Sequence, residues 1–80
     1  MRIIYPATIA KWIIGLNPAL QDRILNKIEF YAEQSNPLVF AKNIGKGLYR
    51  FRIGTYRVIF FIKNETMYIA DIDRRDKIYR

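Results

Sequence analysis

The chain contains no cysteine and no histidine in 80 residues. Without thiols there is no disulfide and no thiolate metal site. Without imidazole the commonest general base and metal ligand is missing. Serine occurs once, at Ser35, so a Ser-His-Asp triad is excluded. The carboxylates lack EF-hand or metal-triad spacing, so no metal and no other cofactor is expected. No apolar run approaches the ~18 residues of a membrane helix. The N-terminus shows neither a signal-peptide apolar region nor a small-residue cleavage site. Together with the missing cysteine, this fits a cytoplasmic protein with no membrane partner. No internal repeat or low-complexity segment is present, so one small domain over residues 1–80 is expected.

What is present is apolar and basic. The chain is 51% hydrophobic and 26% charged, the composition of an ordered globular protein. Its net charge is +7, and unevenly spread. Residues 1–41 carry four basic and three acidic side chains, whereas residues 42–80 carry ten and four. A positive field of this kind suits nucleic acid, an acidic protein or anionic lipid.

The positive half is built around the run Leu48 to Ile62. Its β-branched and aromatic residues read as two antiparallel strands about a Gly54-Thr55 turn, with glycine placed for type II′ geometry. That register sets Ile53 opposite Tyr56, Arg52 opposite Arg57, Phe51 opposite Val58 and Arg50 opposite Ile59. Alternation then puts Tyr49, Phe51, Ile53, Tyr56, Val58, Phe60 and Ile62 on a core face. The other face carries Arg50, Arg52 and Arg57, with Leu48, Ile59 and Phe61 further along. Opposed arginines destabilise a strand pair modestly, so this face reads either as a solvated surface or as a preformed phosphate site. Apolar and basic groups sharing one surface also suggest cover, by a partner or by the chain's own tail.

Before the hairpin, Arg2 to Tyr5 is a short strand stopped by Pro6. Thr8 reads as the cap of a helix with Ile9, Trp12, Ile13 and Leu16 at helical spacing, where Trp12 belongs to the core rather than to a base-stacking platform. Asn17-Pro18 starts a second helix with Leu20, Ile24, Ile28 and Tyr31 on its apolar stripe. Ser35-Asn36-Pro37 ends it, and Leu38 to Gly47 reads as a connection. Gly45 and Gly47 are too sparse for a phosphate loop. After a turn at Lys63 to Thr66, Met67 to Ile72 forms the last strand. Pairing Ile62 with Met67 carries through to Arg57 beside Ile72, so the tail Asp73 to Arg80 starts next to the arginines. Arg50, Arg52, Arg57, Arg74 and Arg75 then form a positive cluster, with Lys77 and Tyr79 close by and Asp71, Asp73 and Asp76 able to neutralise part of it.

The pattern Tyr49-Arg50-Phe51-Arg52-Ile53-Gly54-x-Tyr56-Arg57, followed by a strand and the tail Arg74-Arg75-Asp76-Lys77-Ile78-Tyr79, resembles the RelE/ParE toxin superfamily. The likeness spans essentially the whole chain. It implies a small α+β fold: an N-terminal strand, a two-helix hairpin, then a three-stranded antiparallel meander completing one sheet. It also implies a toxin of a type II toxin-antitoxin system with a cognate antitoxin protein as partner. RelE-like members act as ribosome-dependent mRNA endonucleases, through attack of a ribose 2′-hydroxyl on the adjacent phosphate. By motif position the catalytic residues would be Arg50, Arg52, Arg57, Arg75 and Tyr79, and the RNA-binding residues Arg50, Arg52, Arg57, Arg74, Arg75 and Lys77. The match of Arg74 or Arg75 to the arginine leaving the last strand is open.

This chain departs from many relatives by having arginine where they have lysine or histidine. Arginine stays protonated, so it stabilises charge but is a poor general base. The resemblance therefore leaves other readings standing: a ParE-like inhibitor of DNA gyrase, or a non-catalytic nucleic-acid-binding member of the fold.

Overall fold

The computed structural model of the chain describes residues 1–74. Strand β1 (Arg2–Ile4) leads into helices α1 (Ala7–Ile14) and α2 (Pro18–Ala32). A 3-10 turn over Pro37–Phe40 follows, then β2 (Lys42–Gly45), β3 (Leu48–Ile53), β4 (Tyr56–Lys63) and β5 (Thr66–Arg74). The strands form one sheet in the order β1-β5-β4-β3-β2. The expected α+β architecture is present, with β3, β4 and β5 as the meander.

Local chemistry explains the helices. Pro18 begins α2, and the Asn17 side-chain oxygen accepts from the Leu20 N–H at 2.9 Å, satisfying one of the first-turn donors. The α1–α2 link is fastened by Gln21, whose Nε2 donates to the Ile14 and Leu16 carbonyls at 3.0 and 2.9 Å. Thr8 is not the cap of α1. The helix starts two residues earlier than a Thr8 cap implies, at Ala7 after Pro6, and has no side-chain cap; proline suits the approach to a helix because its φ is already set.

The sheet departs from expectation in three places. First, the connection after α2 contains β2, antiparallel to β3, with Lys42 opposite Arg50 and a register shift between Asn43 and Gly45. Its four residues are all exposed, so it has no core-facing alternation to betray it. Second, β1 joins β5 in parallel, Ile3 beside Met67, which makes the sheet mixed. Third, the β4–β5 ladder slips. Phe60 pairs with Ile69 but Ile59 pairs with Asp71, leaving Ala70 as an extra residue. Asp73, not Ile72, therefore stands opposite Arg57, and Ile72 comes opposite Val58.

One face of the sheet is covered by the helices. Ile13 of α1 and Ile24, Ile28 and Ala32 of α2 pack with Phe51, Ile53, Val58, Phe60, Met67, Ile69 and Ile72. Aromatic rings bridge the layers: Tyr31 meets Phe51 at 4.5 Å between centroids, and Phe51 meets Phe60 at 5.0 Å. Trp12 sits at the core's edge against Tyr56, 5.7 Å away and edge-on.

Candidate nucleic-acid interface

The β3–β4 hairpin has the register expected from its alternation. Ile53 faces Tyr56, Arg52 faces Arg57, Phe51 faces Val58 and Arg50 faces Ile59. Gly54 has φ +61, the left-handed region that a type II′ turn requires at its first position. With Phe51, Ile53, Val58 and Phe60 buried toward the helices, Arg50, Arg52 and Arg57 lie on the opposite face. Lys42 joins them across from Arg50, a contribution that the sequence hides because it hides β2 itself.

The crowding of Arg52 and Arg57 is relieved by β5. Arg57 Nε donates to Asp73 Oδ1 at 3.0 Å and its Nη2 to Oδ2 at 2.9 Å. This bidentate pair fixes the guanidinium plane and offsets one positive charge. The bulge at Ala70 puts the carboxylate there: without it Asp73 would fall one residue out of register, on the other face. Asp71, one residue beyond the bulge, lies beside Ile59 on the same face, and its Oδ1 accepts from the Ile72 N–H at 2.9 Å.

Further along this face the surface turns apolar. Phe61 and Tyr68 stack with planes 8° apart and centroids 4.9 Å apart, and both rings are half-buried. Leu48 and Ile59, also half-buried, flank them. The face opposite the helices thus joins a basic end to an aromatic end.

Arg74 is not brought to that face. It pairs with Tyr56, and its guanidinium stands 5.8 Å over the Tyr56 ring on the helix side of the sheet. Arg75, Lys77 and Tyr79 lie outside the described residues. Among the described residues no group of acidic side chains could hold a metal ion, and no helix is long and apolar enough to cross a membrane.

A groove of about 330 Å³ lies between α1 and α2, lined by Tyr5, Ile13, Ile14 and Leu25 among others. The Tyr5 hydroxyl is buried there with no hydrogen-bond partner among the described residues. Burial, and then the nearby Glu29 carboxylate, push its pKa up to about 12. The groove is lined mainly by apolar side chains of the helical layer.

The chain is thus a small α+β domain whose sheet is covered by helices on one side and carries arginines on the other. The chain matches, over residues 7–79, the family described as the ParE toxin of type II toxin-antitoxin systems, parDE. It belongs to that family, and is a type II toxin-antitoxin toxin of the RelE/ParE superfamily. No curated protein matches it.

Solved structures share the fold. The RelBE2 toxin-antitoxin complex from Mycobacterium tuberculosis contains a chain 23% identical, with TM-score 0.72, covering 92% of this chain and 90% of that one. The RelE-RelB complex from Pyrococcus horikoshii gives 23%, 0.72, 92% and 93%. The RelB-RelE complex from Methanococcus jannaschii gives 21%, 0.69, 95% and 94%.

Proposed function

We propose that this toxin is a ribosome-dependent mRNA endonuclease of the RelE kind, held in check in the cytoplasm by a cognate antitoxin. The observation that carries the reading is the presentation of Arg50, Arg52 and Arg57 on one open sheet face, with Arg52 and Arg57 opposed and Arg57 oriented by Asp73. Guanidinium groups so placed bind a phosphate and stabilise the charge that builds on its oxygens when a 2′-hydroxyl attacks. In-line positioning and electrostatic stabilisation then supply the rate, with no strong base required of the arginines. Arg75 and Tyr79 extend the same motif and would act from the tail. The RelE–RelB neighbours support an antitoxin partner.

Primer extension on mRNA from an in vitro translation reaction containing the protein tests this. Cuts within codons in the A site are expected, and naked RNA should be cut far less. A second reading, a gyrase inhibitor, is favoured by the matched family's description as a ParE toxin. No mRNA cuts, together with trapped gyrase–DNA cleavage complexes in a supercoiling assay, would replace the first reading by the second.

A further inference from the structure

The helix side of the β3–β4 turn carries a second pair of arginines. Arg23, an exposed residue of α2, reaches the turn. A Cβ placed on Gly54 would stand 2.8 Å from Arg23 Nη2 and 3.3 Å from its Cζ. The guanidinium therefore lies directly against the turn. On the same side of the sheet, exposed Arg74 stands 5.8 Å over Tyr56, the first residue after the turn, and Trp12 meets that ring edge-on with centroids 5.7 Å apart. Four arginines from α2, β3, β4 and β5 therefore gather about a two-residue turn. Arg52 and Arg57 lie on the open side, Arg23 and Arg74 on the helix side.

We propose that Arg23 is a further RNA-contacting residue, and that with Arg74 it takes one backbone phosphate while Arg52 and Arg57 take another, so that RNA is held on both sides of the hairpin tip. The proposal rests on the reading of RNA as ligand. The two-sided placement favours a nucleic-acid backbone over an acidic protein segment. Phosphates recur along a strand that passes the tip, whereas a peptide helix or strand laid on the sheet would meet one face only. Planar guanidinium forks match phosphate oxygens in two-point contacts.

The experiment is binding of a labelled single-stranded RNA oligonucleotide to the full chain across a KCl series. For single-stranded nucleic acid, the slope of log K against log[salt] has a magnitude of about 0.7 per phosphate neutralised. The Arg23→Ala, Arg74→Ala double variant, which empties that phosphate site, is expected to lower the magnitude by about one such increment, and Arg23→Ala alone by a measurable part of it with Tm unchanged; the double variant also loses the Arg74 contact with Tyr56 and a little stability with it. Arg23→Lys keeps the charge and should restore most of the slope. An unchanged slope in Arg23→Ala, no restoration by lysine, or no salt-dependent RNA binding by the parent each overturns the proposal. So does a result in which these variants weaken only an acidic antitoxin segment. The nuclease reading is judged separately: a changed slope without ribosomal cuts keeps the interface and removes the nuclease, and cuts with an unchanged slope do the reverse.

Discussion

The two faces of the sheet are made by the same strands and obey different rules. Toward the helices, Val58 and Phe60 are wholly buried and Phe51 is 3% exposed. Toward the open side, their immediate neighbours are Arg50, Arg52, Arg57, Ile59 and Phe61. Burying a side chain such as Val58 or Phe60 contributes about 1.5–3 kcal/mol each. An opposed like-charge pair costs at most about 1 kcal/mol, and the Asp73 contact offsets part of that. The covered face thus stabilises the hairpin strongly enough for the opposite face to place two arginines across from one another.

The comparison is most easily broken on the covered face. Phe60→Ala should cost about 3–5 kcal/mol, a large part of the roughly 5–15 kcal/mol typical of a domain. Thermal melting checks it, and an unchanged Tm would mean the faces are assigned the wrong way round. Next in size is Arg52→Ala, which should leave Tm nearly unchanged and lower mRNA cleavage about 10- to 150-fold, the loss of a charge-assisted contact of about 1.5–3 kcal/mol in the transition state. Full activity would reduce the arginine face to solvated surface.

Arg57 sharpens the distinction. Relief of like charge alone would let Arg57→Ala fold as well as the parent or better. The bidentate contact with Asp73 changes that expectation. The pair's side chains are 21% and 41% exposed, and such a bridge contributes about 0–1 kcal/mol. Arg57→Ala should therefore lose up to that much stability along with its activity. Asp73→Asn, which keeps shape but weakens the grip, should show a similarly small loss of stability on denaturant titration and a partial loss of cleavage.

The smallest effect belongs to the helical layer. Tyr5→Phe removes a buried hydroxyl with no partner among the described residues, so its stability should match or exceed the parent's by up to about 1 kcal/mol. The folded protein holds the Tyr5 proton up to about pH 12, against a usual value of 10.0. The resulting stability is fully present below pH 10.0 and lost as pH rises through about 12. Denaturant titrations between those values should fall less steeply for Tyr5→Phe than for the parent.

Local rules written along the chain settle the hairpin. A two-residue glycine turn and strict alternation leave one register in which the apolar set stays together, and a slip of one residue would expose all of it. The start of α2 is equally legible, because Asn17 and Pro18 act through local geometry. The arginine face follows from the same alternation, and the family likeness from the motif on it.

Packing between distant elements settles the rest. Strand β2 has no core-facing side chains, so its pairing with β3 is the only thing that makes it a strand. The bulge at Ala70 arises because β5 must keep both Ile69 and Ile72 in the core, an odd spacing that straight pleating cannot satisfy. That demand of packing turns Asp73 onto Arg57 and Arg74 onto Tyr56. Arg23 and the hairpin turn meet although they are far apart in sequence, because α2 lies across the sheet and Gly54 leaves room for the guanidinium. Alternation along one strand cannot encode contacts that depend on where another element is packed.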